Sequence, residues 1–124
     1  MADRPKPRGI ILLAHGARDP LWSQPIEAVA ARARQLDALA LVECAYLELM
    51  QPDLLACADN MAKAGVQRAT VVPLFLGVGK HAREDMPRLM ALIRTRHPNI
   101  VFGLQPAIGE DPRMVELMAS IALA

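Results

Sequence analysis

Aromatic side chains are nearly missing from this chain of 124 residues: one Trp, one Tyr and two Phe make up 3% of a sequence that is 53% hydrophobic. Any core must therefore be aliphatic, built from Leu, Val, Ile, Ala and Met. Net charge is missing too. Fourteen Lys and Arg oppose thirteen Asp and Glu, a formal balance of +1, so no long-range field draws in nucleic acid or an anionic membrane. Cysteine is scarce. Cys44 and Cys57 do not form a CxxC pair, and both sit among apolar neighbours. They read as small buried hydrophobes in a reducing compartment. No apolar run reaches membrane-spanning length, and the opening MADRPKPRG is polar and proline-rich, unlike a signal peptide. The cytoplasm is the expected setting. Linkers, low-complexity segments and internal repeats are also absent, which leaves one domain over residues 1–124 with residues 1–7 as a flexible N-terminus.

What the chain does have is more apolar residue than so small a domain can hide, and a partner copy is the expected consequence. The apolar runs come in order. Residues 9–14, 41–47, 69–76 and 100–104 are continuous and short, as strands covered on both faces are. Between and after them lie helical spacings: IEAVAARARQLDAL after Asp19-Pro20 or Ser23, DLLACADNMAKA after Gln51-Pro52 with Gly65 closing it, a helix within 81–95, and RMVELMASIAL after Asp111-Pro112. Pro73, near the middle of the third run, predicts a bulge or an edge-like bend. Pro87 predicts the first turn of its helix or a break. Strand–helix repeated four times gives an α/β fold: a single flavodoxin-like domain whose four-stranded parallel sheet has order 2-1-3-4 and helices on both faces.

In such a sheet, ligands bind beyond the carboxyl ends of the strands, where the order reverses between strands 1 and 3. IILLAHGARDP delivers His15 to the end of strand 1, and VVPLFLGVGKHARED delivers His81 just past the end of strand 3. AYLELMQP places Glu48 at the end of strand 2. Two imidazoles and a carboxylate at one rim make a ligand set suited to Co, Ni, Fe or Zn, with open positions left for exchange. Either imidazole can also accept a proton. Several other features carry less. His97 fits the exposed end of a helix. GVGK lacks the GKS or GKT ending of a P-loop. Met86, Met90, Met114 and Met118 at helical spacing read as core. A histidine phosphatase would need an arginine directly before the strand-end histidine, and Ala14 stands there.

Together LLAHGARDP, AYLELMQP, VVPLFLGVGKHARED and PAIGEDP, spread over residues 8–114, resemble the short form of the CbiX-type sirohydrochlorin chelatases, class II tetrapyrrole chelatases. The resemblance implies a chelatase-like domain that inserts a divalent metal into sirohydrochlorin, Co²⁺ foremost with Fe²⁺ and Ni²⁺ as alternatives, on the way to cobalamin or sirohaem. It implies a homodimer and no organic cofactor. His15 and His81 take the catalytic and metal-binding roles, with Glu48 as the acidic metal ligand; which histidine accepts the proton stays open. Arg18, Lys80 and Arg83, beside the two histidine loops, are the candidates to bind the substrate's carboxylates. Ala17 stands where many relatives carry serine. A carrier that binds metal or tetrapyrrole without turnover would use the same cradle, and a plain dimeric interaction domain would show no metal affinity.

Overall fold

Three aspartates start helical turns in this protein. Asp19 accepts a hydrogen bond from the Leu21 amide at 2.9 Å, Asp53 from Ala56 at 2.8 Å and Asp111 from Arg113 at 2.8 Å. Each satisfies an amide that a first turn leaves without a partner, and each is worth about 1 kcal/mol against alanine. The computed structural model describes residues 6–124. The expected flexible N-terminus, residues 1–7, falls largely outside them.

The elements alternate as strand and helix: β1 Arg8–Ala14, a 3-10 turn Pro20–Ser23, α1 Gln24–Leu36, β2 Leu41–Tyr46, α2 Leu54–Lys63, β3 Arg68–Pro73, α3 Lys80–Arg96, β4 Val101–Leu104, a 3-10 turn Ile108–Glu110 and α4 Pro112–Leu123. All strand pairs are parallel and the sheet order is β2-β1-β3-β4, as the alternation predicts. Alternate residues of β1 feed opposite faces. Ile11 and Leu13 enter the cluster with Leu54, Cys57, Met61, Met86, Met90 and Ile93 from α2 and α3. Leu12 and Ala14 enter the other, with Ala30 of α1, Val42, Cys44, Tyr46 and Val72. The core is aliphatic and sulfur-rich, and no polar residue is fully buried among the described residues.

Three local expectations need correction. Pro73 makes no bulge; it is the last residue of β3, beyond which the missing N–H costs nothing, and the next amide, Leu74, still donates to Leu13 at 2.8 Å. Pro87 neither starts nor breaks its helix: α3 runs through it for 17 residues. Its ring lies on the exposed side, and the buried Met86, Met90 and Ile93 keep the helix continuous across the missing bond. The second helix begins at Leu54 under the Asp53 cap, just after Gln51-Pro52 as the sequence has it. Met86 and Met90 belong to the core, whereas Met114 and Met118 are only half-buried. The reason is that α4 buries none of its side chains and packs chiefly on the 3-10 turn before it.

Cys44 and Cys57 are both buried and free, on opposite faces of the sheet. The Cys57 thiol donates to Glu43 Oε2 at 3.2 Å, and burial together with that carboxylate pushes it far above the usual thiol range. It is a structural thiol rather than a nucleophile.

Candidate functional site

The carboxyl rim is assembled from backbone. Beyond the ends of β1 and β2 the ladder continues: Leu47 N–H donates to Ala14 O at 2.9 Å and Glu48 N–H to His15 O at 3.0 Å. His15 and Glu48 are therefore held side by side by main chain. Gly16, at φ +95°, lies so close to this loop that an added Cβ would stand 1.9 Å from Glu48 O. Only glycine fits there, for both reasons. The loop is itself strained. Leu49 has φ +65°, and Met50 N–H closes a tight turn onto Glu48 O at 2.8 Å. A left-handed residue other than glycine marks a position held by its surroundings, commonly at a site.

His15 is exposed, but its ring has a platform. It stacks on Phe75 with centroids 4.4 Å apart and planes inclined by 29°. Phe75 is buried two residues past β3, so the stack ties the end of β1 to the end of β3, the reversal point of the sheet. Phe75 is fixed in turn by the loop after β4. Its carbonyl accepts from Gly109 N–H at 3.0 Å, and Gly109 packs so tightly that an added Cβ would stand 2.0 Å from Leu76 O.

His81 is exposed in the first turn of α3, whose N-cap is Gly79. Lys80 opens the same helix and Arg18 lies on the loop after Gly16, both exposed. Arg83 donates Nη1 to Val78 O at 2.8 Å, bracing the glycine loop, and lines a cleft of about 230 Å³ with Phe75, Val78, Met86 and Glu110. His15 and Glu48 are thus adjacent through the backbone, and Arg18, Lys80, His81 and Arg83 lie on the segments that follow β1 and β3. Among the described residues, however, no three His, Cys, Asp or Glu side chains gather into a set that could hold a metal ion. His97 lies elsewhere, at the end of α3 as expected, but it is half-buried rather than exposed, because it packs against Asp59, whose Oδ1 meets both His97 Nε2 and Arg96 Nε at 2.7 Å. These partners hold the Asp59 carboxyl below its ordinary range, Arg96 foremost.

Sequence reasoning missed Phe75, the steric role of Gly16 and the packing of Gly109. PLFLG and PAIGEDP contain the residues, but nothing local shows that loops after β3 and β4 meet beneath a histidine from β1.

Known proteins share the sequence pattern and the fold of this chain. A family model described as CbiX matches residues 9–122. A sirohydrochlorin cobaltochelatase from Methanopyrus kandleri is 31% identical over 83 residues, covering 67% of this chain and 58% of that protein. One from Saccharolobus solfataricus is 28% identical over 116 residues, with 89% of each chain covered. The chain spans about three fifths of the first curated relatives it matches, 58% and 62%. Among solved structures, a CbiX protein from Marinobacter aquaeolei VT8 superposes with TM-score 0.83 at 32% identity, covering 94% of this chain and 95% of the other. The sirohydrochlorin chelatase SirB from Bacillus subtilis subspecies spizizenii, in complex with cobalt, gives TM-score 0.80 at 26% identity, covering 94% of this chain and 50% of the other. With a family model running from β1 to α4 and the histidine loops on one rim of the shared fold, the chain belongs to the CbiX family.

Proposed function

We propose that this protein inserts a divalent metal ion, Co²⁺ foremost and Fe²⁺ or Ni²⁺ as alternatives, into sirohydrochlorin. The observation that carries the reading is the rim itself. His15 and Glu48 are locked in backbone register, and His81 enters from the first turn of α3 beyond the neighbouring strand. The relatives named sirohydrochlorin cobaltochelatase and the SirB structure with cobalt support both the substrate and the metal.

The metal is a substrate, so its site must release it. His15, His81 and Glu48, which are not gathered into a closed ligand set in the free chain, would receive the ion only loosely, with the carboxylate offsetting its charge and exchangeable positions left open. The four ring nitrogens then replace these ligands as two pyrrole N–H protons leave, one to an imidazole and the other to solvent water. The Phe75 stack fixes the plane of His15, which keeps its nitrogen aimed while the macrocycle settles. Arg18, Lys80 and Arg83 bind the carboxylates at the ring's edge; Arg83 spends one Nη on Val78 and keeps the rest of its guanidinium for this. Two copies of the chain form the working unit, matching the twofold length of SirB. The cytoplasm suits two free thiols.

The test is an anaerobic absorbance assay of sirohydrochlorin with Co²⁺, Fe²⁺ and Ni²⁺ in turn. The wild-type chain is expected to raise insertion well above the spontaneous rate. His15→Ala and His81→Ala are both expected to lose that enhancement; His81→Ala is expected to melt as wild type does, and His15→Ala, which loses the stack on Phe75, slightly lower while still folded. Tetrapyrrole binding without turnover identifies a carrier, and insertion by His81→Ala at the wild-type rate removes that residue from the mechanism.

A further inference from the structure

Two leucines at the carboxyl rim are held out in water by the backbone itself. Leu49 and Leu76 are each the third residue past a strand, β2 and β3, and they are 58% and 69% exposed. Leu49 is the only non-glycine residue with positive φ among the described residues. An L side chain resists that conformation, so the turn after Glu48 is strained in order to carry it. Leu76 is fixed from behind, because Gly109 packs directly on its backbone, where a Cβ would meet Leu76 O and Cα. An exposed leucine by itself calls for no explanation. This pair differs in where it stands. Leu49 follows Glu48, whose amide donates to His15 O at 3.0 Å, and Leu76 follows Phe75, on which the His15 ring stacks. The sheet order β2-β1-β3 therefore sets one leucine on each side of His15. The turn after β1 adds Leu21 and Trp22, both exposed, and Trp22 meets the ring of Tyr46 at the end of β2 edge-on, centroids 6.5 Å apart.

We infer that Leu49 and Leu76 form the seat for the uncharged centre of the substrate: they take the flat face of the tetrapyrrole and centre its ring over His15 and Glu48. The inference rests on the chelatase reading above and extends it to the part of the substrate that charged side chains cannot hold. Sirohydrochlorin carries its charge at the edge, in carboxylates on flexible arms, while the conjugated ring offers apolar surface. Arg18, Lys80 and Arg83 can grip the edge, yet a ring held only by its arms is free to slide. β2 and β3 lie two strand spacings apart, about 10 Å, a gap that a ring of four pyrroles bridges. Seating the ring removes leucine surface and ring surface from water together, which gives affinity without drawing on the metal. A leucine also offers the ion no donor atom, so it does not compete with the ring nitrogens. A strained turn and a glycine packed against Leu76 fix both leucines before the substrate arrives, so little ordering remains to be done on binding.

Steady-state insertion of Co²⁺ into sirohydrochlorin tests the seat, with metal-free binding of sirohydrochlorin followed separately through the fluorescence of Trp22, the one tryptophan. Asparagine tolerates a left-handed turn, so Leu49→Asn removes the apolar surface without adding strain. Leu49→Asn and Leu76→Asn are each expected to raise both the KM and the dissociation constant for sirohydrochlorin about tenfold. Their kcat and their KM for Co²⁺ are expected to stay within about twofold of wild type, the pattern of lost uniform binding. Leu49→Met and Leu76→Met keep an apolar side chain and are expected to behave as wild type. Leu39→Asn, at an exposed leucine before the amino end of β2, is expected to change nothing. Should Leu76→Asn melt early, Leu76→Ala is expected to show the same rise in KM. Folded Asn variants whose KM for sirohydrochlorin matches wild type, or is matched by Leu39→Asn, overturn the seat and leave the chelatase reading standing. A change confined to kcat or to the KM for Co²⁺ makes the leucines supports of Glu48 and Phe75 and overturns the seat as well. A wild-type chain that neither binds sirohydrochlorin nor inserts metal overturns both readings.

Discussion

The imidazole of His15 lies on the ring of Phe75, centroids 4.4 Å apart, across the point where the sheet order reverses. Such a contact contributes about 0.5–1.5 kcal/mol beyond the area it covers. Its larger effect is to limit how the imidazole can turn. Phe75→Leu keeps most of the buried volume and is expected to cost no more than about 1.5 kcal/mol in denaturant unfolding, yet to slow metal insertion roughly tenfold, the effect of about 1.4 kcal/mol on a barrier. Activity that falls only in step with stability would remove the stack from the positioning of His15.

Gly16 and Leu49 sit on two sides of one crowded turn. Gly16→Ala would drive a Cβ into Glu48 O from a left-handed backbone. It is expected to destabilise by at least about 2 kcal/mol and to reduce insertion activity by displacing Glu48. Leu49→Gly relieves the positive φ at an exposed position. It is expected to raise the unfolding free energy by up to about 1 kcal/mol while loosening the Glu48 loop. A lower midpoint for Leu49→Gly would show that the leucine side chain contributes more than its backbone costs.

Pro87 interrupts the hydrogen bonds of α3 with no packing return, because it is exposed. Pro87→Ala restores a donor to the Arg83 carbonyl and is expected to stabilise the protein by about 1–3 kcal/mol, read from the denaturant midpoint. An unchanged midpoint would mean that the helix already bends to compensate.

Alkaline pH should weaken the fold through the α1 face. Burial, with the Glu27 carboxylate beside it, pushes the Tyr46 phenol up to about 12 from 10, and the same two causes push the Cys44 thiol up to about 11 from 9. Both groups are held protonated in the folded state, so the unfolded chain releases their protons first. Their stabilisation is complete below pH 9 and is lost as pH rises through 11 and 12. Tyr46→Phe gives up the 3.1 Å bond to Glu27, worth about 1 kcal/mol at neutral pH. Its stability should fall less steeply than wild type between pH 10 and 12. Parallel curves in a pH series of urea unfolding would exclude Tyr46 as a cause.

The sequence by itself determined the alternation of strand and helix, the order 2-1-3-4 and the arrival of His15, Glu48 and His81 at strand or helix ends, because apolar runs, aspartate caps and strand-end glycines act within a few residues of themselves. It misjudged Pro73 and Pro87, whose effects depend on what packs around them: a strand that simply ends, and a helix held by Met86, Met90 and Ile93. Tertiary structure alone decided that Phe75 lies under His15, that Gly16 touches Glu48, and that Gly109 packs against Leu76. Those contacts join segments that are distant in the chain. It also decided that α4 stands off its own sheet, because an amphipathic stripe states that a helix must be covered but not by which surface.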